Sequence, residues 1–433
     1  MEFSPRRRAI PCSRAPSPAV VQLQQVHAAA GPSAMAGDWQ PEPDRATPAP
    51  LNARALHAVR ATHVAAVRLL PRRRRLIGRH GVARFFLKTH DLAFLDRPAV
   101  AAARHIIYNG SDVLWAPYGP YWRQWRKLYQ NELLSAGWIK SMEHIRSEEV
   151  RCMLREMSAA ASRDAGAVVR LKDHLSMASF NVVSRMALGR KYIFDGAGSL
   201  MPPEAFRWMI QEFFFLNGAV NVGDVILWLS FLDLQGYIKR MKRLRKMIDG
   251  SSDPSHPDII AAGADTSAVA TEWALSELLR NPEVMAKATD ELDRVVGGGR
   301  LVTEADIPRL PYLEAVVKET LRVHPVAPLL APRLSREDTS VGGYDIPAGT
   351  RVFVNAWAIA RDPALWSDAS EEFRPERFVG SGVDAKGHDL EFLPFGSGRR
   401  MCPGLGLGMK MVQLIDASAN LLQAFAWRLL DGV

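Results

Sequence analysis

Apolar residues recur at helical spacing through most of the chain from about residue 120 onwards. The pattern predicts helices over 121–134, 147–160, 174–188, 259–280, 282–296, 312–323 and 405–429. Pro257 before the 259–280 segment and Asn281-Pro282 after it are start and stop signals for a helix. Strand patterns are short, at 339–341 and 351–355, with a Gly- and Pro-containing turn between them. The sequence therefore predicts a mainly α protein with small β-sheets.

The most apolar stretch of the chain is 213–234. Asn217, Asn221, Asp224 and two glycines interrupt it, so it falls short of the roughly 20 uninterrupted apolar residues of a transmembrane helix. It is more typical of a buried or interfacial segment. A repeat of about 20–50 residues is not found, which argues against a solenoid.

Charge is distributed unevenly along the 433 residues. Residues 1–80 contain 13 arginines against 4 acidic residues, which accounts for the whole net charge of +9. The rest of the chain is neutral. Nine prolines lie in the first 50 residues, and such composition does not bury enough apolar surface to fold alone.

We therefore divide the chain into a basic, Pro/Ala/Arg-rich tail (1–82) and a folded body (83–433). The tail resembles an organelle transit peptide, and a mistranslated 5′ end explains it equally well. The arginine run at 72–75 could bind RNA or anionic lipid, although a run of four charges is usually solvated.

The three cysteines do not provide a disulfide framework, which favours a reducing compartment. Cys12 and Cys152 are best interpreted as small apolar residues. Cys402 differs, because it lies in the glycine-rich loop 395–404 beside Arg399 and Arg400, and a helical pattern follows Pro403. Cations and a helix N-terminus favour a thiolate, and glycines allow backbone N–H groups to approach the sulphur.

This loop resembles the Phe-x-x-Gly-x-Arg-x-Cys-x-Gly pattern of cytochromes P450 at every fixed position, from Phe395 to Gly404. The resemblance implies that Cys402 is the proximal thiolate ligand of haem iron, here haem b. It also implies that Arg400 binds a haem propionate and that Phe395 packs on the proximal side of the haem near the sulphur. Thiolate ligation donates electron density to iron and favours O–O cleavage.

A second motif pairs a glutamate with two arginines. Glu319 and Arg322 stand three residues apart on one predicted helix face, a spacing that more often marks a surface ion pair. In the family this is the Glu-x-x-Arg motif, completed by the arginine of a Pro-Glu-Arg-Phe segment, here Arg377. The resemblance implies a structural triad that supports the cysteine loop.

A third motif, Ala-Gly-Ala-Asp-Thr at 262–266, lies inside the long 259–280 helix. Threonine there could simply bond back to the preceding turn. The resemblance implies instead that Ala262 and Gly263 leave room for O₂, that Thr266 donates a hydrogen bond to it, and that Asp265 relays protons from solvent.

Basic residues provide candidates for the haem propionates. Trp122 and Arg126 match the family's Trp-x-x-x-Arg helix, and Arg333 is a further candidate. Arg123 and Lys127 are either a solvated face or a docking surface for an electron donor.

The resemblance covers roughly 83–433, and the segment 232–237 together with the cysteine loop resembles plant microsomal enzymes of the flavonoid 3′-hydroxylase type. The sequence departs from the family in three ways. The family's membrane anchor and first strands are not recognisable in 1–82. The interval 250–261 before the 262–266 motif is short and contains helix-breaking prolines, and the chain stops at Val433. We therefore expect a cytochrome P450 fold that is incomplete at both ends and before the oxygen-binding helix.

The resemblance implies a monooxygenase that hydroxylates a small hydrophobic substrate with O₂ and two electrons from NADPH. Its expected partner is NADPH–cytochrome P450 reductase, and its expected location is the cytosolic face of the endoplasmic reticulum membrane. The alternative is a truncated, catalytically inactive remnant. A nucleic-acid-binding function would rest on the tail alone, and we expect none.

Overall fold

A computed structural model describes most of the chain beyond residue 80 and short pieces before it. The described residues are 20–23, 64–69, 72–77, 80–163, 168–191, 202–251, 257–297, 299–341, 343–367, 369–415, 421–422 and 425–429. Most of the predicted tail, Cys12, part of the short interval before the oxygen motif and the final residues lie outside these ranges.

Helices make up most of the described residues, which confirms the predicted class. The α-helices are α1 (His80–Arg84), α2 (Ala101–His105), α3 (Pro120–Leu128), α4 (Ala136–Ser141), α5 (Glu143–Arg163), α6 (Leu171–Leu188), α7 (Pro203–Gly218), α8 (Val222–Val225), α9 (Tyr237–Ser251), α10 (Pro257–Arg280), α11 (Pro282–Val295), α12 (Pro311–Val323), α13 (Ala356–Ile359), α14 (Pro363–Trp366) and α15 (Leu405–Ile415). Two π-helical turns (Phe85–Thr89 and Tyr129–Leu133) and four 3₁₀ turns (Asp91–Phe94, Leu227–Leu229, Ile307–Arg309 and Pro375–Arg377) complete the helical part.

The strands are short and form small sheets. They are β1 (Val20–Leu23), β2 (Val64–Leu69), β3 (Arg72–Ile77), β4 (Val168–Val169), β5 (Arg333–Leu334), β6 (Thr339–Val341), β7 (Tyr344–Ile346), β8 (Arg351–Val354) and β9 (Ala426–Leu429). One sheet has the order β2-β3-β8-β5, a second is the β6-β7 hairpin, and a third has the order β4-β1-β9. Within the first sheet β3 runs parallel to β8, and the other two pairings are antiparallel.

The sequence pattern gave two boundaries that differ from the structure. The segment 405–429 is not one helix, because α15 ends at Ile415 and the chain forms β9, where the aromatic Trp427 suits a strand. The boundary at 82 leaves out β2 and β3, although β3 pairs with β8 from Arg74 to Ile77. An arginine run lacks the apolar–polar alternation by which strands are recognised, so β3 has no signal in the sequence pattern.

The centre of the fold is the antiparallel packing of α10 on α6, the most extensive helix–helix contact among the described residues. Ala268 and Leu275 of α10 and Leu175 and Val182 of α6 lie in one buried cluster. Gly263 permits this approach, since a Cβ built at that position would lie 2.5 Å from Val183 Cγ2. The small residue is thus required by helix packing at this point.

Candidate active site

The cysteine loop joins the end of an irregular segment to the start of α15. The Cys402 amide donates to Phe395 O at 3.0 Å and closes the loop on itself. Gly396 and Gly398 have φ of 73° and 75°, a left-handed conformation that suits glycine. A Cβ at Gly398 would also collide with Leu87 O, so the loop lies directly against the π-helical turn that follows α1.

Cys402 combines an exposed side chain with a pKa characteristic of burial. Its side chain is solvent-accessible. Desolvation by the surrounding protein nevertheless raises the pKa of the thiol, while the Gly404 N–H and the Arg126 charge act in the opposite direction. Together these facts place the sulphur in a recess of the protein. A thiol there can be deprotonated by a metal ion that it ligates.

Two buried arginines, Arg97 and Arg333, and the half-buried Arg400 of the cysteine loop lie close together. Burial lowers the pKa of Arg97, with the charges of Arg333 and Arg400 as the next causes. Burial likewise lowers the pKa of Arg333 to about 10 and that of Arg400 to about 10, where the charge of Arg333 adds to the shift. Repulsion between buried cations is unfavourable unless anions compensate it.

Arg333 carries the clearest unfilled donor of this cluster. Its Nη2 donates to Ser397 O at 3.2 Å. Its Nη1 is buried and has no hydrogen-bond partner among the described residues. Arg400, in contrast, donates to the backbone carbonyls of Leu95 and Ala116 at 2.9 and 2.6 Å.

Trp122 and Arg126 of α3 already donate to the backbone. The Trp122 indole N–H, which the family resemblance assigns to a propionate, donates to Val113 O at 2.9 Å. The guanidinium of Arg400 lies 4.5 Å from the centre of the Trp122 ring, a cation–π contact. Arg126 Nη1 donates to Met401 O at 2.5 Å, next to the cysteine. Both residues thus support the cysteine loop directly.

The oxygen motif lies in the first half of α10. Thr266 Oγ1 donates to Ala262 O at 2.7 Å, the local bond that a helical threonine commonly makes. Asp265 Oδ1 accepts from Ser176 Oγ at 2.8 Å, and Asp265 Oδ2 lies 3.9 Å from Lys172 Nζ. The sequence therefore located Asp265 and Thr266, but no pattern in it indicates Ser176 and Lys172, the α6 partners of Asp265.

The Glu319, Arg322 and Arg377 triad is assembled in the structure. Glu319 and Arg322 are fully buried and form two hydrogen bonds, of 2.7 and 2.8 Å. Arg377 Nε lies 3.4 Å from Glu319 Oε1. The remaining Arg322 donors bind the carbonyls of Ala360, Ser370 and Glu372.

Arg97 is a member of the arginine cluster that sequence reasoning missed. It is buried and donates to the carbonyls of Leu114, Ala331 and Pro332. It lies in no recognised motif, and its place beside Arg333 follows only from the way the segment before α2 meets β5.

The residues present fit an iron porphyrin with anionic side groups. A cysteine sulphur lies in a recess, and Arg333 retains an unused buried donor. Burial and nearby arginine charges lower the pKa of the neighbouring Arg97 and Arg400. Fold and site thus define a mainly helical protein of the haem-thiolate class.

The comparison with family models specifies this class. The Cytochrome P450 model matches residues 55–255 and 253–433, so its match begins within the segment assigned above to the tail. The chain belongs to the cytochrome P450 family. It is accordingly an oxidoreductase of the monooxygenase type, and haem iron is the cofactor that the family implies.

Curated relatives agree with this assignment. Trimethyltridecatetraene synthase of Zea mays is 45% identical over 414 residues, which cover 81% of this chain and 74% of the relative. Flavonoid 3′-monooxygenase of Petunia hybrida is 39% identical over 398 residues, covering 81% of this chain and 76% of the relative. The predicted resemblance to flavonoid 3′-hydroxylase-type plant enzymes is thus confirmed.

Solved structures confirm the fold. A zebrafish cytochrome P450 solved with progesterone matches with a TM-score of 0.70 at 25% identity, over 86% of this chain and 92% of that chain. A second structure, with abiraterone, matches with a TM-score of 0.64.

Proposed function

We propose that this chain is a monooxygenase that hydroxylates a small hydrophobic compound of plant secondary metabolism, with O₂ and two electrons from NADPH delivered by a cytochrome P450 reductase. The observation that carries the proposal is one loop that holds the recessed Cys402 sulphur and, through Ser397 O, contacts Arg333, an arginine with an unused buried donor. The names of the relatives support the substrate class, since they include flavonoid 3′-monooxygenases and terpene-derived hydrocarbon synthases.

In this proposal the cofactor is haem b, and the residues of the loop and the arginine cluster hold it. The Cys402 sulphur ligates the iron, and the Gly404 N–H tunes the charge on the sulphur. The Arg333 Nη1 and the Arg400 guanidinium neutralise the propionates. Phe395 packs on α15, since a Cβ at Gly408 would lie 3.3 Å from its ring, and its carbonyl accepts from the Cys402 amide. When bound, the haem supplies the oxidising chemistry.

The same proposal gives the α10 residues the handling of protons. Thr266 holds its hydroxyl proton on Ala262 O and can turn it toward the oxygen side by rotating about χ1. Asp265 is mostly buried and lies beside the partly exposed Lys172, so it connects the interior with solvent. These two adjacent residues would link proton supply at Asp265 with oxygen binding at Thr266.

The test is the reduced, carbon-monoxide difference spectrum of the full chain, followed by product analysis with flavonoid and terpenoid substrates. We expect the strongly red-shifted Soret band of thiolate-ligated haem, and hydroxylated product coupled to NADPH oxidation. Absence of haem uptake would overturn the proposal.

The second candidate function is haem binding without turnover. It is favoured by the contact of Gly263 with Val183 and by the start of α10 at Pro257, only a few turns before Thr266. This candidate predicts the red-shifted band but no product from any substrate.

An exposed apolar surface supports a membrane-associated location. Trp228, Phe231 and Leu234, between α8 and α9, are 73%, 78% and 63% exposed. None of the described helices is long and apolar enough to cross a bilayer. We propose, as the family resemblance implies, a location on the cytosolic face of the endoplasmic reticulum membrane. This surface supports contact with a membrane, because aromatic and aliphatic side chains partition into the interface.

Replacing Trp228, Phe231 and Leu234 together by serine is expected to weaken binding to phosphatidylcholine vesicles by at least about tenfold. Burial of one such side chain contributes about 1.5–3 kcal/mol, and 1.4 kcal/mol corresponds to a factor of about 10. Cosedimentation measures the effect. The matched control replaces Leu92 and Val379, which are also exposed but lie elsewhere. An equal loss of vesicle binding in the control, or no loss in the triple variant, would show that this surface does not bind the membrane.

Arg333→Met is expected to accelerate haem loss about tenfold or more, because it removes a charge-assisted hydrogen bond to a propionate. The haem-free chain should unfold at the same or higher denaturant concentration, since the variant removes a buried cation that repels Arg97 and Arg400. Arg336→Met, at a half-exposed arginine three residues along, is the control. Transfer of haem to apomyoglobin measures the rate of haem loss. An unchanged rate in Arg333→Met would contradict the proposed bond from Arg333 to a propionate.

A further inference from the structure

The outward face of α9 carries a row of basic side chains. Lys239, Lys242 and Lys246 are exposed and stand three and four residues apart, which places them on one side of the helix. Arg243 is exposed beside them, and its guanidinium lies 5.3 Å from the centre of the Trp208 ring of α7. We call the three lysines and Arg243 the α9 stripe.

The packing of α9 holds this stripe outward. Met241, Leu244 and Ile248, on the opposite side of the helix, are buried in the cluster that α9 shares with α2 and α7. Rotation of α9 about its axis would expose these apolar side chains to water, which is unfavourable. The stripe therefore faces the surroundings of the protein and not its core.

The neighbouring arginines of α9 have carboxylate partners, whereas the lysines of the stripe do not. Arg240 donates two hydrogen bonds of 2.6 Å to Glu212 of α7. Arg245 pairs with Asp249, one turn later on α9, at 2.9 Å. None of the three lysines forms an ion pair with a described carboxylate. Their charge is thus available to an anion outside the protein.

The positive field extends to α2, which packs on α9. Arg104 of α2 is exposed, and His105 follows it. Burial lowers the pKa of His105, and the charges of Lys242 and Arg104 lower it further. Asp233 acts in the opposite direction, but its carboxylate already accepts from two backbone N–H groups in the first turn of α9, at 2.9 Å each. An anion that approaches the stripe therefore meets cations of two helices.

The stripe is continuous with the exposed apolar surface described above. The side chains of that surface directly precede α9, and we call them the apolar tip: Trp228, Phe231 and Leu234. The bonds of Asp233 tie the end of this segment to the first turn of α9. Lys246 lies about 10 Å beyond Lys239 along the helix, at 1.5 Å per residue, and this is about one screening length at 0.1 M salt. A surface that the apolar tip touches is thus within electrostatic reach of the whole stripe.

We propose that the α9 stripe binds the anionic headgroups of a lipid bilayer whose interface the apolar tip enters. A bilayer offers acyl chains and phosphate-bearing headgroups side by side, which matches an apolar tip next to a basic stripe. An acidic protein would match the charge of the stripe, but the apolar tip needs a partner that accepts apolar side chains. The proposal deepens the membrane contact proposed above and rests on it, and it does not depend on haem.

The test is cosedimentation of the full chain with vesicles of pure phosphatidylcholine and with vesicles that also contain about 30% phosphatidylserine. We expect tighter binding to the anionic vesicles, and the difference should shrink between about 0.05 M and about 0.5 M salt because salt screens the charges. Replacing Lys239, Lys242 and Lys246 together by glutamine should weaken binding to the anionic vesicles about thirtyfold or more, since each basic residue near such a surface contributes a factor of about five. Binding to pure phosphatidylcholine should not change.

The matched control removes the same charge elsewhere. It combines the substitutions Arg151→Gln and Arg155→Gln on α5 with Arg294→Gln on α11, at exposed positions, and it should keep the preference for anionic vesicles. The charge-conserving variant Lys239→Arg, Lys242→Arg and Lys246→Arg should bind as the parent chain does. Because all these positions are exposed, each variant should keep the unfolding transition of the parent.

A parent chain without preference for anionic vesicles would overturn the proposal and leave the stripe to an acidic protein. An equal loss in the arginine control would also overturn it, because net charge and not the stripe would then be responsible. Serine replacement of the apolar tip should weaken binding to both kinds of vesicle and preserve the ratio between them. A chain that prefers anionic vesicles but shows no haem band would refute the proposed catalytic function while supporting the stripe. Haem and product without this preference would refute the stripe alone.

Discussion

Cys402→Ser is expected to remove the red-shifted band of the reduced carbon-monoxide complex and to bring product formation down to background. The sulphur is the ligand that donates electron density to iron, and a serine oxygen is a poorer donor at neutral pH. The side chain is solvent-accessible. The hydrogen bond that the Cys402 backbone N–H donates to Phe395 O does not involve the sulphur. The fold should therefore survive, with a change in unfolding free energy within about 0.5 kcal/mol.

Cys152→Ser is the matched control for this substitution. Cys152 lies on α5, and its thiol lies 3.2 Å from Glu156 Oε1, away from the cysteine loop. The control variant should keep both the band and the activity. If Cys402→Ser kept the red-shifted band, another ligand would hold the iron, and the assignment of the site would be wrong.

The parts of the site that the sequence predicts are those held by local geometry. The cysteine loop needs left-handed glycines and a proline at fixed distances from the sulphur, so its pattern is visible in ten consecutive residues. The Glu319 and Arg322 pair is visible for the same reason, since three residues on a helix bring two side chains together. Long apolar helices such as α10 and α12 are also recognisable, within one or two residues of their observed bounds.

What the sequence could not predict depends on contacts between distant segments. Arg97 reaches the arginine cluster across more than 230 positions. Glycine at 263 suggests space for a ligand, whereas the structure shows that Val183 of α6 occupies the neighbouring space. The basic strand β3 is stabilised by its pairing with β8, which the tail composition does not reveal. In each case the partner, and not the residue type, determines the role.

Arg322→Ala is expected to lower the unfolding free energy by about 3–5 kcal/mol, the cost of leaving a buried charge without its partner. Glu319 would remain fully buried, with Arg377 Nε at 3.4 Å as the remaining guanidinium. Three backbone carbonyls would lose their donors as well. Chemical denaturation monitored by tryptophan fluorescence measures the loss.

The damage should extend to the cysteine loop, because the triad lies against the cluster that supports it. Leu321, Trp366, Phe378 and Phe392 belong to this cluster, and Phe395, the first residue of the loop, packs on it. Haem retention should therefore fall together with stability in Arg322→Ala. The exposed Arg374, whose guanidinium pairs only with the exposed Glu372 among the described residues, is the matched control, and Arg374→Ala should change the unfolding free energy by about 0–1 kcal/mol. Equal effects of the two substitutions would mean that the buried triad contributes no more than a surface ion pair.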